Sequence, residues 1–145
     1  MPGSEVVLAI DQGTTGTTCL LVDRLGQVRS RGYATLRSTY PADGWVEQDP
    51  NEIWNSVLKA TAEALGPDQL KIAAIGITNQ RETTILWDSH TGEPLAPAIV
   101  WQDRRTAQTC QDLIEQGYDR LVRDITGLLL DPYFSATKIH WLLKS

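Results

Sequence analysis

The chain has 145 residues, 41% of them hydrophobic and 21% charged, with a formal net charge of −5. That length and balance describe a globular chain able to bury a core, and the acidic charge, with no basic patch interleaved with aromatics, argues against a nucleic-acid module. No apolar run approaches bilayer-crossing length, and Met1-Pro2-Gly3-Ser4-Glu5 lacks the basic start and apolar core of a signal peptide.

Two apolar runs, Val6 to Ile10 and Cys19 to Val22, flank the knot Asp11-Gln12-Gly13-Thr14-Thr15-Gly16-Thr17-Thr18. This reads as a β-hairpin of two buried strands. Asp11 then stands at the carboxyl end of the first strand, where open α/β sheets place ligands. The knot has two readings. It is either an ordinary Gly/Thr turn or a concavity of donors suited to a phosphate chain. The carboxylate directly before it, suited to the metal ion that travels with phosphate, favours the second. The P-loop pattern is absent, because the turn leads into a strand and carries no Gly-Lys-Thr/Ser.

A third, more exposed strand is expected from about Gln27 to Leu36, followed by an irregular connection through Ser38 to Gln48 with Trp45 as a hydrophobic anchor. Asp49-Pro50-Asn51-Glu52 opens a helix, with Asp49 as N-cap, Pro50 at the first position and Glu52 completing a capping box. Its core stripe is expected to be Ile53, Trp54, Val57, Leu58, Ala62 and Leu65, and Gly66-Pro67 ends it. Ile72 to Ile77 reads as a central strand buried on both faces. A hairpin is expected from Thr83 to Trp87 and Ala98 to Trp101, with His90 in its polar turn and no second metal ligand near it.

Further helices are expected from about Asp103, with Cys110 on the apolar side and a stop at Gly117, and through Leu121, Val122 and Ile125 to Gly127. Asp131-Pro132 starts a last helix in which Trp141, Leu142 and Leu143 arrive uncovered. Cys19 and Cys110, distant in sequence and in apolar positions, read as free thiols, as in a cytoplasmic protein.

Arg81-Glu82 is the second constellation. It is either a plain salt bridge or a pair that grips adjacent hydroxyls of a polyol, Arg giving and Glu accepting. Trp101 offers an apolar wall and Tyr133 a ring with a hydroxyl, so the four make a plausible small pocket.

Four blocks, 44–54, 76–84, 99–106 and 131–138, together with Asp-Gln-Gly-Thr-Thr (11–15), resemble the FGGY carbohydrate-kinase family, most closely its glycerol-kinase branch. The resemblance implies an α/β fold of the ribonuclease-H-like (actin-like ATPase) type, a mixed five-stranded sheet with flanking helices. Residues 1–145 would be an N-terminal FGGY-kinase domain, truncated at its C-terminal end. It implies ATP-dependent phosphorylation of glycerol, with ATP and Mg2+ as cofactors. Arg81, Glu82 and Tyr133 would bind glycerol hydroxyls and Trp101 its carbons. Thr14, Thr15 and Gly16 would meet the nucleotide phosphates, with Thr17 close by, and Asp11 would lie near the metal.

The family's catalytic aspartate belongs to a Gly-Asp-Gln segment that is not in the chain, so no residue here is assigned as general base, and the chain alone is expected to be inactive and marginally stable. Gly16-Thr17-Thr18 stands where the family usually has Ser-Ser-Arg, which removes a cation near the phosphates. Kinases of another polyol or of a ketose, and a non-catalytic polyol-binding fragment, remain alternatives. A homo-oligomer of the longer protein is left open.

Overall fold

Burial alternates along the first two apolar runs, which the chain folds as β1 (Glu5–Gln12) and β2 (Gly16–Asp23), an antiparallel hairpin whose register ends at Gln12 opposite Thr17. The computed structural model describes residues 5–67 and 70–144; residues 1–4 and 145, on which the reading of the termini partly rests, lie outside them. The chain divides into two compact units, Met1–Arg37 with Asp49–Gln80, and Ser38–Gln48 with Arg81–Ser145.

In the first unit β3 (Val28–Thr35) pairs antiparallel with β2, and β5 (Lys71–Asn79) pairs parallel with β1, in the order β3-β2-β1-β5. The class is the expected α/β one with a mixed sheet, but the sheet has four strands among the described residues, not five. β3 lies at one edge, as its composition suggests.

β5 lies at the other edge, and there the expectation fails. Ile75 and Ile77 are 60% and 73% exposed, because the covering helix α1 (Pro50–Leu65) packs chiefly on β3 and β2. Composition alone does not tell a strand how far its cover extends. At the near end Lys71 Nζ meets Glu5 at 2.7 Å. Arg24 pairs with the same carboxylate. These bonds and charges, Lys71 first, hold Glu5 below the usual carboxylate range.

Asp49 caps α1 as expected, its Oδ1 accepting from the Asn51 N–H at 2.8 Å, with Pro50 in the first turn; Glu52 is exposed and makes no return bond. Gly66 closes the helix with its N–H on the Ala62 carbonyl. The buried face differs from the expected stripe. Ser56, Ala60 and Ala64 are buried, while Trp54 and Leu58 are 60% and 48% exposed.

Gly32 of β3 explains the choice. A Cβ there would lie 2.0 Å from the Ala60 carbonyl oxygen and 2.6 Å from the Ala64 nitrogen. The helix backbone rests directly on the strand, so the contact face must be small residues. The core joins them to Val6, Leu8, Ile10, Cys19 and Leu21.

The second unit has little regular sheet. β4 (Glu47–Gln48) pairs with β6 (Ala98–Ile99) in a short ribbon. The expected hairpin is reduced to isolated bridges, Thr84 to Ile99 and Trp87 to Pro94. In its turn the Asp88 carboxylate accepts from the Thr91 and His90 amides, which pull its pKa down, Thr91 foremost.

Helices α2 (Ala107–Glu115) and α3 (Tyr118–Thr126) follow, the latter closed by Gly127. α2 begins four residues later than expected because Asp103 is drawn inward. Its carboxylate accepts from the Val46 amide at 2.6 Å and pairs with Arg105 at 2.8 Å. Arg105 also reaches Glu47 at 2.8 Å. Its guanidinium lies 3.8 Å from the centroid of Trp45 and 4.7 Å from that of Trp141. Trp45 is thus the anchor expected.

The last helix, α4 (Ser135–Lys144), also starts four residues late. Asp131 instead caps a turn, with its carboxylate on the Tyr133 amide. Trp141 packs edge-on to Trp45 at 5.4 Å, Leu142 is buried, and Leu143 alone of the three is strongly exposed, at 70%. The cluster expected to be bare is therefore mostly covered.

Gly32→Ala should lower stability by about 1–3 kcal/mol, the usual cost of overpacking, because both obstructing atoms are helix backbone. Urea denaturation of the chain should show a lower midpoint for this variant, and an unchanged midpoint would contradict the direct backbone contact.

Candidate functional site

In the first unit the loop 13–15 is closed by the Gly13 amide on the Gly16 carbonyl at 2.9 Å. Gln12 Nε2 donates to the Gly13 carbonyl at 2.8 Å. The Thr15 carbonyl accepts from the Leu36 amide at 2.9 Å. Three carbonyls that would repel an anion are thus tied to protein donors. Gln80 braces the base, its amide donating to the Gln12 carbonyl at 2.7 Å. Gly16 is needed here because a Cβ would meet the Tyr33 hydroxyl at 2.5 Å and the Ala34 carbonyl at 2.6 Å. Thr15 is exposed and Thr14 half-buried.

Thr17 is placed differently. It is buried, and its hydroxyl lies 2.6 Å from Ser56 Oγ. Ser56 has one proton and donates it to the Ile53 carbonyl at 2.7 Å, so Thr17 must be the donor of the pair. Its hydroxyl faces α1, not the loop.

Asp11 is exposed on the sheet face away from α1, with Thr18 and Thr78 beside it in register. A recess of about 400 Å³ lies there, lined by Ala9, Asp11, Thr18, Leu20, Gly76 and Thr78 among others. No cluster of three or more metal-ligating side chains occurs among the described residues. One carboxylate with neighbouring hydroxyls is a hard-oxygen set. It fits a Mg2+ that keeps its waters and is held mainly by phosphate, which needs only one or two protein carboxylates.

The second unit brings Glu82, Trp101 and Tyr133 together. Trp101 and Tyr133 stack edge-on at 6.0 Å, and the Trp101 amide donates to Thr83 Oγ1 at 3.3 Å. Glu82 has φ 66°, the left-handed region, and is the one non-glycine residue there among those described. Such a conformation costs about 1–3 kcal/mol and persists where the surroundings enforce it.

Here Glu82 Oε2 accepts from the Ser135 amide at 2.9 Å and from Ser135 Oγ at 2.7 Å. The carboxylate sits at the N-terminus of α4, where the helix dipole favours it. Oε1 is left available as an acceptor. Arg81 is exposed and forms no salt bridge with Glu82, so the plain ion-pair reading of that dipeptide does not hold.

Sequence reasoning missed Ser135 and Lys138. Lys138 is fully buried and donates to the Glu82 carbonyl at 2.8 Å and to the Tyr133 carbonyl. One signal was available. Phe134, Lys138 and Leu142 recur every four residues, so a lysine holds a core position of the helical period.

The chain matches the N-terminal domain of the FGGY family of carbohydrate kinases over residues 6–145, and it belongs to that family. Within it, the similar curated proteins are glycerol kinases. One from Bordetella pertussis is 51% identical over 99% of this chain and 29% of its own length. One from Alcanivorax borkumensis is 54% identical over 96% of this chain and 29% of its own length. The crystal structure of Plasmodium falciparum glycerol kinase with ADP superposes with a TM-score of 0.94 at 33% identity, covering 99% of this chain and 29% of that one. The chain therefore spans about 29% of the length of the relatives it matches. No described helix is long and apolar enough to cross a membrane.

Ser56→Ala should cost about 1–3 kcal/mol by leaving the buried Thr17 hydroxyl unsatisfied, Thr17→Val should cost less because Ser56 keeps its bond to Ile53, and the double variant should cost clearly less than their sum. Urea denaturation of the three variants measures this, and strict additivity would contradict the buried hydroxyl pair.

Proposed function

We propose that residues 1–145 form the N-terminal domain of a longer kinase that transfers the γ-phosphoryl group of ATP to a terminal hydroxyl of glycerol. The observation that carries this reading is the state of Glu82. One carboxylate oxygen is fixed on Ser135 and the other is available, in the same segment cluster as the apolar Trp101–Tyr133 pair. An acceptor held rigidly beside aromatic carbon suits a short polyol, and the exposed Arg81 adds a donor.

In the first unit, Thr14, Thr15 and Gly16 meet the nucleotide phosphates, and Thr17 supports them from behind through Ser56. Asp11 would hold Mg2+ from the strand end, and the metal would supply charge neutralisation of the phosphates; the tied carbonyls of the loop keep the anion's side free of repulsion. This chain contributes phosphate and polyol binding but no general base. Among the solved structures the glycerol kinase is 33% identical to this chain, against 26% for a xylulose kinase of Lactobacillus acidophilus, and this difference supports glycerol over a ketose.

The test uses a hybrid kinase in which this chain replaces the matching N-terminal part of the Bordetella pertussis relative. Arg81→Ala and Glu82→Gln should each weaken glycerol binding by about 1–3 kcal/mol, the range of a hydrogen bond to a charged group. This is read as the glycerol KM in a coupled assay. Parental KM in both variants would overturn the polyol assignment. Asp11→Ala should lower turnover strongly at saturating magnesium-ATP while leaving glycerol affinity in place, and undiminished turnover would remove Asp11 from the site. The 145-residue chain alone should show no glycerol phosphorylation, and turnover from it would refute the absence of a base.

A further inference from the structure

Behind the polyol pocket lies a buried cation that the proposed chemistry does not use. Lys138 has 0% exposure. An ammonium there carries a desolvation cost that an apolar side chain of similar length would avoid. Burial pushes its pKa down, against the upward pull of Glu82, Asp103 and Asp131. Packing therefore does not account for a lysine at this position.

What the ammonium does is specific. Nζ donates to the Glu82 carbonyl at 2.8 Å and to the Tyr133 carbonyl. These carbonyls belong to two segments far apart in the chain. Glu82 is also the residue held at φ 66°, and α4 ties it at both ends: Lys138 holds its carbonyl and Ser135 its carboxylate. With the backbone and one oxygen fixed, the direction of Oε1 is fixed as well. Tyr133, tied to the same ammonium, keeps its ring against Trp101.

We propose that Lys138 is a positioning residue of the polyol pocket, whose ammonium clamps the Glu82 and Tyr133 backbones together and so sets the spacing between the accepting carboxylate and the aromatic wall. The proposal rests on the polyol reading of that pocket. It predicts a selective effect. Loss of the clamp loosens polyol binding, while the proposed phosphate contacts of the loop 13–15, which lies in the other unit, are untouched.

The experiment compares Lys138→Met and Lys138→Arg with Arg81→Ala and Glu82→Gln in the hybrid kinase, with circular dichroism and thermal unfolding as controls for folding. Lys138→Met should raise the glycerol KM about tenfold or more with the ATP KM unchanged. Lys138→Arg, which keeps a buried donor cation, should recover part of the loss. A folded Lys138→Met variant with the parental glycerol KM overturns the proposal. So does a matched rise in both KM values, and so does failure of both Lys138 variants to fold, since each assigns Lys138 to the fold alone. If Arg81→Ala and Glu82→Gln leave the glycerol KM unchanged, the polyol reading itself fails. If they raise it and Lys138→Met does not, only the clamp fails.

Discussion

The Arg105 guanidinium, with its side chain only 2% exposed, is the interaction on which the second unit depends. That unit has almost no sheet to organise it. Asp103 and Glu47 neutralise the charge in the plane of the guanidinium, and Trp45 and Trp141 cover it. A bidentate, stacked site of this kind is one that lysine cannot fill. Breaking one side of such a buried pair costs about 3–5 kcal/mol, because the survivor is left charged and unpaired. One residue thereby fastens the 38–48 segment, the turn before α2, and α4. Since α4 presents Ser135 and Lys138 to Glu82, the geometry around Glu82, the proposed polyol site, depends on this ion pair.

The first unit is held by a different kind of contact. Its helix lies on the sheet through Gly32, Ala60 and Ala64, backbone against backbone. The hydroxyl relay from Thr17 to Ser56 to Ile53 connects that contact to the exit of the loop 13–15. A phosphate loop gains from such backing, since pre-organised donors need no rearrangement when charge arrives. The two units thus use close packing around the loop 13–15 and buried charge around Glu82.

Much of this was legible where the signal is local. The hairpin β1–β2, the Asp49 cap, and the stops at Gly66, Gly117 and Gly127 follow from residue chemistry within a few positions. The motif residues were singled out through family resemblance. What failed depends on partners distant in sequence. The run 72–77 is apolar enough for a doubly covered strand, yet it is an edge strand beyond the reach of α1. Trp54 and Leu58 carry far more apolar area than Ala60 and Ala64, but Gly32 decides which face fits. Asp103 and Asp131 look like helix starts, and each is diverted to another amide. Lys138 is charged at a core position, a local inconsistency of the kind that marks sites under functional constraint.

The tryptophans are unevenly shared between the units. Trp45, Trp87, Trp101 and Trp141 lie in the second, and the first has only Trp54, 60% exposed on α1. Intrinsic fluorescence therefore follows mainly the second unit, where Trp45 and Trp141 lose their cation and each other as soon as Arg105 is released. Far-ultraviolet dichroism weighs both units, since the larger sheet and the longest helix belong to the first. The two signals are thus separate optical channels for the two halves. Coincident melting curves mean that the halves unfold together, and displaced curves give the stability of each without labelling or cutting the chain.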